Sequence, residues 1–525
     1  MHSAVEQLAN PYLIAPIAGT VALGILYWSR HTFSRPNEPL LLPGGLPLIG
    51  HAFEYAKNSS ELYLRIREFA RDLQPISITL MGQRIYIVMK PQDISSVWRT
   101  KALDFNPVVE WGLTALFNMS PEGVRRLHFD AEDGMGSMYV NSHTFFRDHL
   151  APGEPLNIIT RSFVEYMMKD LETAKQEICR APGETLQVDL MRWIRYRLGI
   201  PSTNAMAGEG VLQYDPGILD AVAKFDSDIV RLSSGLPKWI NKDAHDNVRR
   251  LSDAFEHGMD VEKTLYWIQL RIKMMADRGV PFRDQTIIIL ILWQALQANA
   301  IPVTFWMIYQ LLRDPKTLQE LMQEARPSLD ENGNLVDIGY LSTKTPKLNA
   351  FYWEALRYAS ASASVRKVLD TVSIGGRTLY KGAMVMLPAR PYHMDPEIFG
   401  DDCDKFVADR FLRDGKEPGK LNPGFRSVRA FGGGISLCPG RHFAINEIFS
   451  AIVTIFNNFD ISLVDPSQTV HPRTEGSAVS ILPPNENVLV NIKLKGNKEP
   501  NEVDGLFLEP SIFSDYKTQT SVSDS

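Results

Sequence analysis

The chain has 525 residues, 44% of them hydrophobic, which is enough to bury one large core or two ordinary ones. Its 55 Lys and Arg against 61 Asp and Glu leave a formal charge of −6 at pH 7, which argues against the broad positive footprint of a nucleic-acid-binding protein and favours small molecules or proteins as partners. Three cysteines, Cys179, Cys403 and Cys438, lack the paired spacing of a disulfide framework or a zinc site and favour a reducing compartment.

From Gln7 to Ser29 no residue is charged, and Tyr12 to Trp28 is apolar enough to cross a hydrocarbon core as a slightly short helix. Residues 1–30 are therefore expected to be a membrane anchor. Arg30, His31 and Arg35 follow the span and no Lys or Arg precedes it, so the positive-inside rule places the downstream chain in the cytosol. A cleaved signal peptide needs a basic leading region and a small-residue cleavage site, and neither is evident. Residues 31–51 form a linker in which Pro36, Pro39, Pro43 and Pro47 alternate with Gly44, Gly45 and Gly50, a stiff, non-helical pattern.

The β-rich stretch Ile76 to Met89, broken at Met81-Gly82-Gln83, predicts a hairpin. Helical periodicity then dominates, over Ser162 to Cys179, Leu219 to Leu232, Asp284 to Leu312 and Thr345 to Tyr358, with a short strand expected at Val372 to Tyr380. The expected class is mainly α with small β-sheets. No solenoid repeat interrupts residues 52–496, read as one compact unit, and the polar tail 497–525 has little to bury and is expected to be disordered.

The most informative stretch runs from Phe431 to Ala444. Gly432, Gly433 and Gly434 permit positive φ and close approach to a flat ligand. Cys438, just before Pro439-Gly440 and a helical run from Arg441 to Phe456, falls near a helix N-terminus, where amide donors and the dipole stabilise a thiolate. Taken alone, a cysteine in a glycine-rich loop is more often structural than a metal ligand.

The spacing of Phe431, Gly434, Cys438 and Gly440 resembles the haem-binding signature of the cytochrome P450 family, F-x-x-G-x-R-x-C-x-G, with Ser436 where most members carry arginine. Glu354 and Arg357 match the family's E-x-x-R pair and share a helix face, and Arg410, in Phe406 to Phe411, should complete a cluster with them. A lone Glu/Arg pair would more often be a solvated surface bridge. The resemblance implies the family's α+β prism fold over 52–496, haem b held by the Cys438 thiolate, Phe431 packed on the sulfur, and Arg366 reaching a haem propionate. It further implies electrons from an NADPH-dependent reductase, a lipophilic small-molecule substrate and an endoplasmic reticulum membrane location. Lys420, Arg426, Arg429 and Arg441 flank the cysteine loop and could meet an acidic redox partner.

The helix Asp284 to Leu312 departs from the family's usual A-G-x-(D/E)-T, placing Ile301 and Pro302 where the acid/alcohol pair is expected. Pro302 has no amide proton, so the Ala298 carbonyl loses its helical partner and a kink is expected. Asn299, three residues earlier on the same face, is the preferred catalytic polar group, while Thr304 is turned about 200° around the helix from Pro302. This helix and the cysteine loop together resemble the branch containing sterol 7α-hydroxylases and prostacyclin synthase. The resemblance implies a monooxygenase acting on a terpenoid, steroid-like or other secondary-metabolite substrate, near Val108 to Phe117 with Trp111, Ala359 to Val365 and Ser477 to Ile481. A redox-independent isomerase or dehydratase, or a non-catalytic haem-binding protein, are the alternative readings.

Overall fold

The computed structural model describes residues 34–47, 49–128, 137–234, 237–412, 421–476 and 480–496, and over them the chain is mainly helical with small sheets. The expected membrane span at Tyr12 to Trp28 and the polar tail 497–525 lie outside the described residues. Two units divide the chain.

The first unit, Met1–Val108, Ser362–Tyr392 and Thr474–Val479, holds a six-stranded sheet in the order Leu40–Leu41, Ile76–Leu80, Gln83–Ile87, Met384–Pro388, Ala363–Val368 and Leu103–Asp104. The expected hairpin is present: Met81 and Gly82 both take positive φ, +47° and +76°, the combination whose twist suits a two-residue connection. Period-two alternation sorts the side chains. Ile76, Ile78, Ile85 and Ile87 bury against Leu62, Tyr63 and Ile66 of helix Ala52–Phe69, while Tyr86, Val385 and Leu387 pack with Ile94 and Val97 of helix Pro91–Arg99. The strand expected at Val372 to Tyr380 is a short hairpin, Val372–Ile374 with Arg377–Leu379, turned at Gly375 and Gly376.

The second unit, Val109–Ala361, His393–Arg473 and Ser480–Ser525, is the helical body. Its principal helices are α1 (Glu154–Arg180), α2 (Leu190–Ala207), α3 (Ile218–Ser233), α4 (Lys242–Gly258), α5 (Phe282–Arg313), α6 (Pro346–Ala359) and α7 (Arg441–Asn458). Strands Leu186–Asp189, Leu489–Leu494 and Phe459–Leu463 form a small antiparallel sheet in this unit. Helix α5 is long and apolar enough to cross a bilayer, and its surroundings explain why: α2, α3, α4, α6 and α7 all pack against it. Its buried polar groups are matched. Trp293 Nε1 donates to Thr203 Oγ1 at 2.8 Å, Gln297 Nε2 to Ser202 Oγ at 2.7 Å and Trp306 Nε1 to the Leu482 carbonyl at 2.8 Å.

Candidate active site

Helix α6 places Glu354 and Arg357 one turn apart, and both side chains are at 0% exposure. Arg357 donates from Nε and Nη2 to the two Glu354 oxygens, each at 2.8 Å, and its remaining donors reach the carbonyls of His393, Cys403 and Lys405. Arg410 Nε meets both Glu354 oxygens at 3.1 Å and Nη1 reaches the Phe399 carbonyl, while the Val407 amide donates to Glu354 Oε1 at 2.8 Å. Saturation of this kind lets charged groups remain inside a core. The cluster also touches the cysteine loop, because His393 Nε2 accepts from the Arg429 amide at 2.9 Å.

The loop is tied back on itself by the Cys438 amide, which donates to the Phe431 carbonyl at 3.0 Å. Gly432 and Gly434 adopt φ of +69° and +66°, a region that favours glycine over residues carrying a Cβ. Gly440 is different: its φ of −77° is ordinary, and a Cβ there would meet the Cys438 sulfur at an ordinary contact distance of 3.8 Å. Burial pushes the Cys438 thiol up, while the Gly440 amide, the Arg441 guanidinium and the Arg441 amide favour the thiolate. The Phe431 ring meets Trp353 edge to face, with centroids 6.1 Å apart. Ser436 Oγ donates to the Gly433 carbonyl at 3.2 Å.

A single thiol set at the start of α7, with the Gly440 and Arg441 amides directed at its sulfur, is the donor set of a soft or borderline metal. Among the described residues no three His, Cys, Asp or Glu side chains converge as a metal site. Haem iron, which accepts a single cysteine thiolate from the protein, would fit this donor.

Helix α5 continues as one helix across Pro302. Ala295 and Asn299 are exposed and Pro302 is partly so, whereas Trp293, Gln297, Ala298, Ala300, Ile301, Val303 and Thr304 are buried, so one stripe of a central helix stays open. Asn299 and Pro302 share it. Asn299 Nδ2 donates back to the Ala295 carbonyl at 2.7 Å, which leaves its oxygen as the group that can receive a donor. Thr304 is on the buried side, its hydroxyl donating to the Ala300 carbonyl at 2.8 Å.

Asp226 on α3 was not singled out by motif. It shares the apolar face of Val222, Phe225 and Ile229, and an acid at that register is the signal that could have found it. Its Oδ1 accepts from Gln294 Nε2 of α5 at 2.6 Å. Burial pushes the carboxyl up to about 7, with the Gln294 bond and the Arg195 charge acting the other way.

Arg366 belongs to the first unit, on strand Ala363–Val368, where it donates to Ser364 Oγ and the Val365 carbonyl and lies over the Phe105 ring. Burial pushes its guanidinium down against the opposing Asp104 charge. Of the flanking basic residues, Arg426 is exposed, Arg441 donates to the Cys438 carbonyl at 2.9 Å, and Lys420 lies outside the described residues. So do residues 477–479 of the expected substrate turn.

Residues 241–490 match the family model described as "Cytochrome P450". The chain is 26% identical over 499 residues to "Cytochrome P450 7A1" of Rattus norvegicus, covering 88% of this chain and 94% of that protein. It is 25% identical over 496 residues to "Cholesterol 7-alpha-monooxygenase" of Cricetulus griseus, with the same two shares, 88% and 94%. It is also 24% identical over 453 residues to "Cytochrome P450 monooxygenase poxD" of Penicillium oxalicum, covering 82% and 88% of the two chains.

Proposed function

We propose that this chain is a monooxygenase of the cytochrome P450 type that oxidises a lipophilic polycyclic substrate, steroid-like or terpenoid, at a carbon-hydrogen bond. The observation that carries the reading is the Cys438 thiol, held at the N-terminus of α7 with amides of Gly440 and Arg441 favouring its charge. When bound there, haem supplies dioxygen activation, which a thiolate ligand promotes by electron donation.

The chain's own residues hold, orient and shield. The loop bond from Cys438 N to Phe431 O fixes the sulfur, and the Glu354, Arg357 and Arg410 cluster braces the segment that reaches the loop through His393. Helix α5 offers two acceptors. One is the Asn299 side-chain oxygen, and the other is the Ala298 carbonyl, which Pro302 deprives of an amide partner. Together they can hold a water or a substrate hydroxyl in place of the usual acid and alcohol. The apolar residues of α5 exclude bulk water and select an apolar substrate.

Electrons come from an NADPH-dependent reductase whose acidic face meets Arg426 and Arg441, and the enzyme works at the endoplasmic reticulum membrane with its body in the cytosol. The test is expression in microsomes with a reductase, adding sterols and terpenoids with and without NADPH, followed by mass analysis. A gain of one oxygen atom that requires NADPH supports the reading. Conversion of an oxygenated substrate without NADPH replaces it with isomerase or dehydratase chemistry.

A further inference from the structure

Asp226 is an uncommon residue for its place. It sits on the apolar face of α3, packed between neighbours that include Phe225, whose ring meets Phe117 at 5.0 Å, yet it keeps accessible surface. Gln294 also keeps accessible surface, on the same helix α5 that bears the open stripe of Ala295, Asn299 and Pro302. Asp226 and Gln294 thus bring a carboxyl and an amide together between α3 and α5 with surface still accessible.

The hydrogen bonding of the pair leaves Asp226 Oδ2 and the Gln294 oxygen for a ligand, Oδ2 accepting when the carboxyl is ionised and donating when it is protonated. Gln294 spends its amide nitrogen on Asp226 Oδ1 at 2.6 Å, and among the described residues no donor reaches Asp226 Oδ2 or the Gln294 side-chain oxygen. Both residues keep accessible surface, so the complement of this pair is a hydroxyl, which donates to the Gln294 oxygen or to an ionised Oδ2 and accepts from a protonated one. A cation is the weaker candidate, because the Arg195 charge already acts on this carboxyl while Arg195 itself pairs with Asp220 at 2.9 Å.

We infer that Asp226 and Gln294 form the polar end of the substrate site and bind a hydroxyl group carried by an otherwise apolar substrate. The inference rests on the haem-thiolate reading and adds to it a substrate class with one hydroxyl remote from the carbon that is oxidised. Asp226 and Gln294 are specificity-determining residues, since they hold the far end of the ligand rather than the reacting atoms.

Ligands that anchor to haem iron by themselves test this without knowledge of the substrate. Holoenzyme is titrated with 1-alkylimidazoles of six to twelve carbons and with the same series bearing a terminal hydroxyl, and affinity is read from the Soret shift. For at least one chain length the hydroxyl is expected to tighten binding about tenfold, the worth of a hydrogen bond to a charged or polar acceptor. Asp226→Leu, which continues the apolar face of α3, should bring that ratio to about one, and the isosteric Asp226→Asn should lower it if the leucine variant folds poorly. A ratio near one at every length in the wild type, or a ratio that survives both substitutions, overturns the inference. Failure of the haem-thiolate reading is distinguishable: the reduced carbon-monoxide complex of the wild type then lacks its red-shifted band, whatever the imidazoles do.

Discussion

Glu354 and Arg357, three residues apart on α6, face each other through two parallel 2.8 Å hydrogen bonds with neither side chain exposed to solvent. The fork geometry matches a planar guanidinium to a planar carboxylate, and Arg410 closes the free side of Glu354. Two guanidiniums share this one carboxylate, and Arg410 takes a second carboxylate from Asp402 at 2.5 Å. Removing one member therefore does more than delete a bond.

Glu354→Gln keeps the size of the side chain and discards its charge, leaving two guanidiniums buried beside a neutral amide. Breaking a buried pair in this way costs about 3–5 kcal/mol. The expected result is loss of most folded holoenzyme, measured as haem content per polypeptide and as a lowered thermal midpoint. Arg357→Lys should also destabilise, because an ammonium cannot serve the carbonyls of His393, Cys403 and Lys405 while gripping both carboxylate oxygens. Full haem content and an unchanged midpoint in both variants would remove the cluster from its architectural role.

Cys438→Ser exchanges the thiol for a poor iron ligand without disturbing the amide that bonds Phe431. The reduced carbon-monoxide complex is expected to lose its red-shifted Soret band entirely. Retention of that band in the serine variant would assign the axial ligand to another residue.

Much of this site was legible from residue spacing because it is local. Glu354 and Arg357 share a helix turn, and the bond closing the cysteine loop spans seven residues from Phe431 to Cys438. The mainly helical body with small sheets was equally open to reading, since α1, α3 and α6 carry a 3.6-residue pattern, α5 is a long apolar run, and Met81-Gly82 marks its hairpin. What spacing could not show is pairing between distant elements. Gln294 and Asp226 are 68 residues apart, and no local rule tells which acid on α3 meets which amide on α5. The composition of the first unit from three separate chain segments is hidden for the same reason, because the strand at Gln83–Ile87 pairs with Met384–Pro388 some 300 residues later.

Asn299→Ala removes the side-chain oxygen from the open stripe of α5 while leaving a good helix former in its place. Turnover or product ratio should change more than haem content, and Thr304→Ala should show the opposite balance, because its hydroxyl is spent on the Ala300 carbonyl inside the core. Both comparisons need product analysis alongside the carbon-monoxide spectrum. Equal loss of haem and turnover in Asn299→Ala would make Asn299 a structural residue.

Asp226 also gives the fold a pH dependence of definite sign. Burial raises its carboxyl from the ordinary 3.8 to about 7, so between those values the folded chain holds a proton that the unfolded chain has released. Stability from this group is fully present below about pH 4 and is lost as pH rises towards 7, at up to about 1.4 kcal/mol per unit. Asp226→Asn cannot ionise and escapes that loss. Thermal midpoints of wild type and variant should therefore diverge in favour of the variant from pH 5 to pH 7 and run parallel above about pH 8. A gap that stays constant across this range would mean that the carboxyl is already ionised in the folded protein, stabilised by water or by a closer approach of Arg195.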